Sequence, residues 1–179
     1  MRKSKNIILH GLFIVLLAGC SKNYIPTGDE VILFQVDYTN THTGNQHYGY
    51  YIDNKGNVFT YSNPTVWNSP DSLFVFSNTG IMENLSYCIK SEIRIPPEEL
   101  NKFAGYIKNI ASTKVTARKM VGTGKGTLKY ICFQRSETSD QYKGFIIREE
   151  GNYTCANLNY FSKRTITWLS DINSRLTDK

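Results

Sequence analysis

The chain has 179 residues, 40% of them hydrophobic and 13% aromatic, with only 5 prolines. That composition excludes a disordered polymer and suits one domain able to bury a real core. Its 21 Lys+Arg against 15 Asp+Glu give a net charge of +6; the mild excess, with both signs interspersed, argues against a nucleic-acid binder, which gathers its bases on one stripe.

The chain opens on a basic stretch, Arg2, Lys3 and Lys5, followed by an apolar run over residues 7–19 that His10 and Gly11 interrupt. A spanning helix needs about 20 apolar residues, so the run is too short to cross a bilayer and has the layout of an export signal. It ends on Leu17-Ala18-Gly19-Cys20, which resembles the lipobox of bacterial lipoprotein signal peptides. The resemblance implies cleavage before Cys20, a thioether to diacylglycerol on its sulfur, and an acylated amino terminus carrying chains of the palmitate type. Two or three such chains hold a protein on a membrane effectively permanently. Ser21, not Asp, follows the cysteine, which in enterobacterial lipoproteins disfavours inner-membrane retention and implies an outer-membrane address. Loss of Arg2, Lys3 and Lys5 lowers Lys+Arg from 21 to 18 against 15 acids, so the mature charge is +3 instead of +6. The expected organisation is a signal peptide over 1–19, a lipidated cysteine and tether over 20–30, and one domain over 31–179. Pro26 and Gly28 support the tether, which spans at most ~3.4 Å per residue; the alternative is that Tyr24 and Ile25 start an edge strand.

Residues 31–38 are β-branched and aromatic with partial alternation, and read as a strand. After a polar loop over 39–46, residues 48–53 and 57–61 form a hairpin around Asn54-Lys55-Gly56, whose residues tolerate positive φ. Pro64 and Pro70 make 63–71 irregular, with Trp67 as its buried pin, and 73–76 suits a short strand. Residues 81–90 are ambiguous between helix and strand. Residues 92–95 are extended ahead of Pro96. Pro96-Pro97-Glu98-Glu99 is a helix start, and Leu100, Phe103, Ala104, Ile107, Ile110 and Ala111 recur at helical spacing, which predicts an amphipathic helix over 97–111. A second hairpin joins 128–135 to 142–149, and a final helix runs over 161–176. Strands in neighbouring pairs predict an α+β fold: an antiparallel sheet with two amphipathic helices packed on one face.

Once Cys20 carries lipid, three cysteines remain. Cys132 and Cys155 are the favoured disulfide in an oxidising compartment, a bridge through Cys88 or three buried thiols being the alternatives. Gly122-Thr-Gly-Lys-Gly-Thr127 lacks the spacing and the Lys-Ser/Thr pair of a phosphate loop and reads as a hairpin-entry loop. His42 and His47, with Asp37 and Asp53 near in sequence, are metal-ligand types, but a five-residue step in a loop favours a solvated or hydrogen-bonded histidine, so neither metal nor cofactor is expected. A Cys–His pair built from Cys88 or Cys132 with His47 is weakened by the apolar setting of Cys132, and no Gly-x-Ser-x-Gly is present.

Aromatic residues crowd the segment 38–76, which holds 9 of the 23 Tyr, Phe and Trp. Tyr48 and Tyr50 share one strand face and Tyr51 takes the other, so one aromatic row is a candidate partner-binding surface, with Tyr48, Tyr50 and Trp67 as its residues; the alternative is tyrosines paired across strands. Together these features point to a lipid-anchored extracytoplasmic protein, attached to the membrane by its lipid and binding an envelope protein or glycan without catalysis. The alternatives are an immunity or inhibitor lipoprotein, and an envelope hydrolase. A cleft gathering His47 with Asp37, Asp53 or a thiol favours the last.

Overall fold

A computed structural model describes residues 23–42 and 44–177; the expected signal peptide and the expected lipidation site, Cys20, lie outside them. In chain order the elements are β1 Ile32–Asn40, β2 Gln46–Asp53, β3 Asn57–Ser62, β4 Val75–Ser77, α1 Asn78–Ser86, β5 Ile89–Arg94, α2 Pro97–Ala104, α3 Ile107–Ala111, β6 Lys119–Met120, β7 Thr127–Arg135, β8 Gln141–Gly151, β9 Tyr153–Ala156 and α4 Tyr160–Thr177. The fold is α+β. The nine strands among the described residues make one open sheet in the order β5-β3-β2-β1-β7-β8-β9-β6, with β4 also on β8, and the pairings are antiparallel. No helix among the described residues is long and apolar enough to cross a membrane.

Strand alternation sorts the core into two clusters. One gathers Phe34, Val36, Tyr50, Ile52, Tyr130 and Cys132 with Leu100 and Phe103 of α2, Ile107 and Ile110 of α3, and Trp168, Leu169 and Ile172 of α4. The other gathers Tyr51, Phe59, Tyr61, Ile131, Phe133 and Tyr142 with Ile81 and Leu85 of α1. A register shift between Ile32 and Phe34 is a bulge that sends these two residues to different clusters. So the helices number more than the expected pair. The ambiguous stretch at 81 resolves as α1, capped by Ser77, whose Oγ accepts from the Gly80 amide at 3.0 Å.

The helix expected over 97–111 is two helices. Gly105 and Tyr106 interrupt it, because glycine in a helix interior costs about 1 kcal/mol and the break lets Tyr106 stack on Phe161 at 4.2 Å.

The expected tether also needs correction, because the chain is built into the domain from Tyr24 onward. The Tyr24 amide donates to the Cys88 carbonyl at 2.6 Å, its ring lies 4.6 Å from Phe59, and its phenol donates to Glu30. Glu30 is 2% exposed and also accepts from the Thr27 and Gly28 amides. Burial raises its carboxyl, but the hydrogen bonds from Tyr24 and Thr27 outweigh that and bring it down to about 2. Short-range composition suggested a linker; the buried Glu30 carboxylate, which gathers the Tyr24 phenol and the Thr27 and Gly28 amides, made it structure.

Candidate functional site

On the face that α1 covers, sheet register lines up one residue from each of six strands: Tyr61, Gly49, Asp37, Lys129, Glu149 and Cys155. The row alternates in charge. Gly49 is essential to it, since a Cβ there would meet the Val36 carbonyl at 2.0 Å and the Tyr61 hydroxyl at 2.6 Å. Without that atom the Tyr61 phenol crosses β2 and donates to Asp37 Oδ1 at 2.7 Å. The ring of His47 reaches the same oxygen through Nε2 at 2.8 Å. At the far end Glu149, fully buried, takes a two-pronged contact from Arg118 at 2.7 and 2.8 Å. Burial pushes the Glu149 carboxyl up, and the Arg118 guanidinium, with Lys129 adding to it, wins and holds it below the usual range. The Cys155 thiol is pushed up by burial and then by the Glu149 carboxylate.

Segment 63–74 forms the roof. Trp67 lies 4.3 Å from Tyr61, stacks on Tyr51 at 5.8 Å and meets His47 edge-on at 4.9 Å. Buried Asn84 of α1 holds this roof down, accepting from the Asn68 amide at 2.7 Å and donating to the Asn68 carbonyl at 2.9 Å. Between roof and sheet is a cavity of about 130 Å³, lined by Gln35, Asp37, His47, Trp67, Ser69 and Lys129 among others.

Gln35 is 2% exposed, and its amide orientation follows from the chain of donors. An ionised carboxylate only accepts, so the Tyr61 hydroxyl donates to Asp37 and must receive from Gln35. Nε2 of Gln35 therefore donates to Tyr61 at 2.9 Å, and Oε1 is left buried without a partner. The one other such atom among the described residues, Asn78 Oδ1, does not line this cavity. A buried acceptor left unpaired costs on the order of 1–3 kcal/mol.

The residues singled out from sequence are scattered. Tyr48 is 46% exposed on the opposite face, stacked on Tyr38 at 4.5 Å beside a cleft of about 330 Å³ with Lys125 and Glu150. Tyr50 is buried and donates to the Leu169 carbonyl at 2.5 Å. Trp67 sits across the sheet, so Tyr48, Tyr50 and Trp67 form no common surface. His47 and Asp37 do meet; His42 is exposed, and Asp53 caps the first hairpin, accepting from the Lys55 and Asn57 amides at 2.9 and 2.8 Å.

Cys88, Cys132 and Cys155 are free, buried thiols, which corrects the expected Cys132–Cys155 bridge. With β8 between their strands and four residues of offset along it, their Cα atoms are roughly 15 Å apart, where a disulfide needs under about 7 Å. Burial pushes the Cys88 and Cys132 thiols up to about 12, and neither lines the cavity with His47. Gly122–Thr127 leads into β7 under Tyr38, whose hydroxyl donates to the Lys125 carbonyl at 3.2 Å. Sequence reading passed over Gln35, Tyr61, Lys129 and Arg118; the usable signals were polar residues at alternate positions 35, 37 and 39 of an otherwise apolar strand, and a glycine inside β2. Among the described residues no three His, Cys, Asp or Glu side chains gather as metal ligands would. No protein-family model, curated protein or solved structure matches the chain.

Proposed function

We propose that the protein is a lipid-anchored, extracytoplasmic binding protein of the bacterial envelope, held by Cys20 and taking its ligand in the cavity beneath Trp67. The lipobox resemblance supports the anchor. The observation that carries the binding reading is the unpaired, buried Oε1 of Gln35, a residue that lines a polar cavity. A fold that keeps such an atom gains when a ligand donor meets it. In this reading α2, α3 and α4 buttress one face, and the ligand lies on the other, beside α1. Tyr24 packs on Phe59, so at most three residues separate the packed body from Cys20, a reach of ~10 Å at full extension. Metabolic labelling with palmitate should mark the wild type and not Cys20→Ala. For the site, the detergent-solubilised chain with 5-fluorotryptophan at its two Trp positions should show a ¹⁹F shift of the Trp67 signal on adding a glycan, peptide or lipid fraction of envelope. A signal that no fraction moves defeats the binding reading.

A hydrolase is the second reading, favoured by the Asp37–His47 contact. Asp37 holds Nε2 of His47 as the proton-bearing nitrogen, which makes Nδ1 the basic one, and Ser69 lines the same cavity. A fluorophosphonate probe should then label Ser69 in a His47-dependent way; absence of labelling removes this reading.

A further inference from the structure

Resting on that binding reading, we infer that the cavity takes the hydroxylated edge of an uncharged sugar. Its polar lining is balanced in charge and in hydrogen-bonding sense. Acceptors come from Gln35 Oε1 and from Asp37, whose contacts with Tyr61 and His47 both fall on Oδ1 and leave Oδ2 as its remaining acceptor. Donors come from Lys129 and Thr39 on the sheet and from Ser69 on the roof. A cationic ligand would face Lys129, and an anionic one would face Asp37, so each would be opposed by a like charge at close range in a shielded site. Hydroxyl groups donate and accept at once, carry no charge, and so satisfy both sets.

Size and shape agree with this choice. A volume of about 130 Å³ corresponds to roughly four waters at about 30 Å³ each, which accommodates two adjacent hydroxyls and the ring carbons that bear them. The remainder of a glycan would lie outside the opening. The apolar part of the lining combines three aromatics, Trp67, Phe74 and Phe76, with Pro70 and Ile131, and its rings offer flat surface to the C–H side of a sugar, as small-molecule sites pair apolar walls with a few convergent polar groups. The immobile parts are already in place: Trp67 is wedged between Tyr51, Tyr61 and His47, and Gln35 is held by Tyr61. Such preorganisation lowers the ordering cost of binding.

The test uses the full chain in a detergent without sugar headgroups, labelled with 5-fluorotryptophan, the Trp67 resonance being assigned with Trp67→Phe. Methyl glucoside, methyl galactoside, methyl mannoside and methyl N-acetylglucosaminide are titrated to 100 mM, with arginine amide and acetate as charged comparisons. At least one glycoside should shift Trp67 saturably, and the arginine and acetate controls should not. Gln35→Met should weaken that glycoside about 10-fold, the loss of one hydrogen bond. Lys129→Met removes a donor without disturbing the Tyr61–Asp37 contact; it should weaken the glycoside similarly and let arginine amide shift Trp67. Should Gln35→Met fail to fold, Lys129→Met carries the test. A wild-type shift with arginine amide or acetate in place of a glycoside overturns the assignment, as does silence with all probes. If envelope peptides move Trp67 while glycosides do not, the binding reading stands and the sugar assignment falls; if nothing moves it, both fall.

Discussion

The two faces of the sheet draw on the same strands and the same alternation, yet one pairs its buried polar atoms beneath three helices and the other keeps an unpaired acceptor in the lining of a polar cavity. On the helix-covered face Trp168 stacks on Phe103 at 4.2 Å and meets Phe34 edge-on at 5.1 Å, while the Tyr50 hydroxyl is taken up by the Leu169 carbonyl. Apolar area and paired polar atoms account for that face. On the other, Tyr51 and Phe59 pack under α1, but on the next two strands, β1 and β7, the side chains become Gln35, Asp37 and Lys129, and the covering is a loop rooted by Trp67 and Asn68. The lesson is that a buried polar row needs covering that can be satisfied by hydrogen bonds, and where covering is incomplete an unpaired acceptor remains.

Four substitutions sharpen this contrast, in descending size. Trp168→Ala should cost about 3–5 kcal/mol, the range for deleting a large buried aromatic, read from urea midpoints by circular dichroism, because it empties the stack between Phe103 and Phe34. Next comes Glu30→Gln, at about 2–3 kcal/mol near neutral pH, since Glu30 accepts several hydrogen bonds as a carboxylate. Its folded value near 2 lies below the ordinary 4.5, so the stabilisation is complete above about pH 4.5, falls as the pH drops, and is gone below about 2. The wild type should therefore lose stability between those pH values and Glu30→Gln should lose less; parallel acid limbs would show that residues 24–30 do not brace the domain. Tyr61→Phe should cost about 1–2 kcal/mol by leaving the Gln35 amide and Asp37 short of a partner, and it should loosen the Trp67 ¹⁹F line while leaving that of Trp168 unchanged. Tyr48→Ala should cost under about 1 kcal/mol, because its ring is 46% exposed and stacks only on Tyr38; a loss comparable to that of Trp168→Ala would mean that this ring is structural.

Both hairpins, the proline-led helix start and the final helix were legible because they depend on neighbours: Asn54-Lys55-Gly56 turns within three residues, and the apolar line of α4 repeats every three or four. The α+β class followed from strands arriving in adjacent pairs. Hidden from a linear reading were the two clusters that split Ile32 from Phe34 by a bulge, the break at Gly105, and the incorporation of Tyr24 and Glu30. Cys132 and Cys155 looked like partners because their strands are close in sequence, but β8 runs between them. The cavity was least legible of all. Gln35 and Tyr61 are 26 residues apart, Asp37 and Lys129 are 92 apart, and they meet only because strand register sets which residues share a row and Gly49 leaves one position in that row vacant for a phenol to cross. Local chemistry is written along the chain, whereas register across six strands is a property of the folded sheet, and so is the acceptor it leaves unpaired.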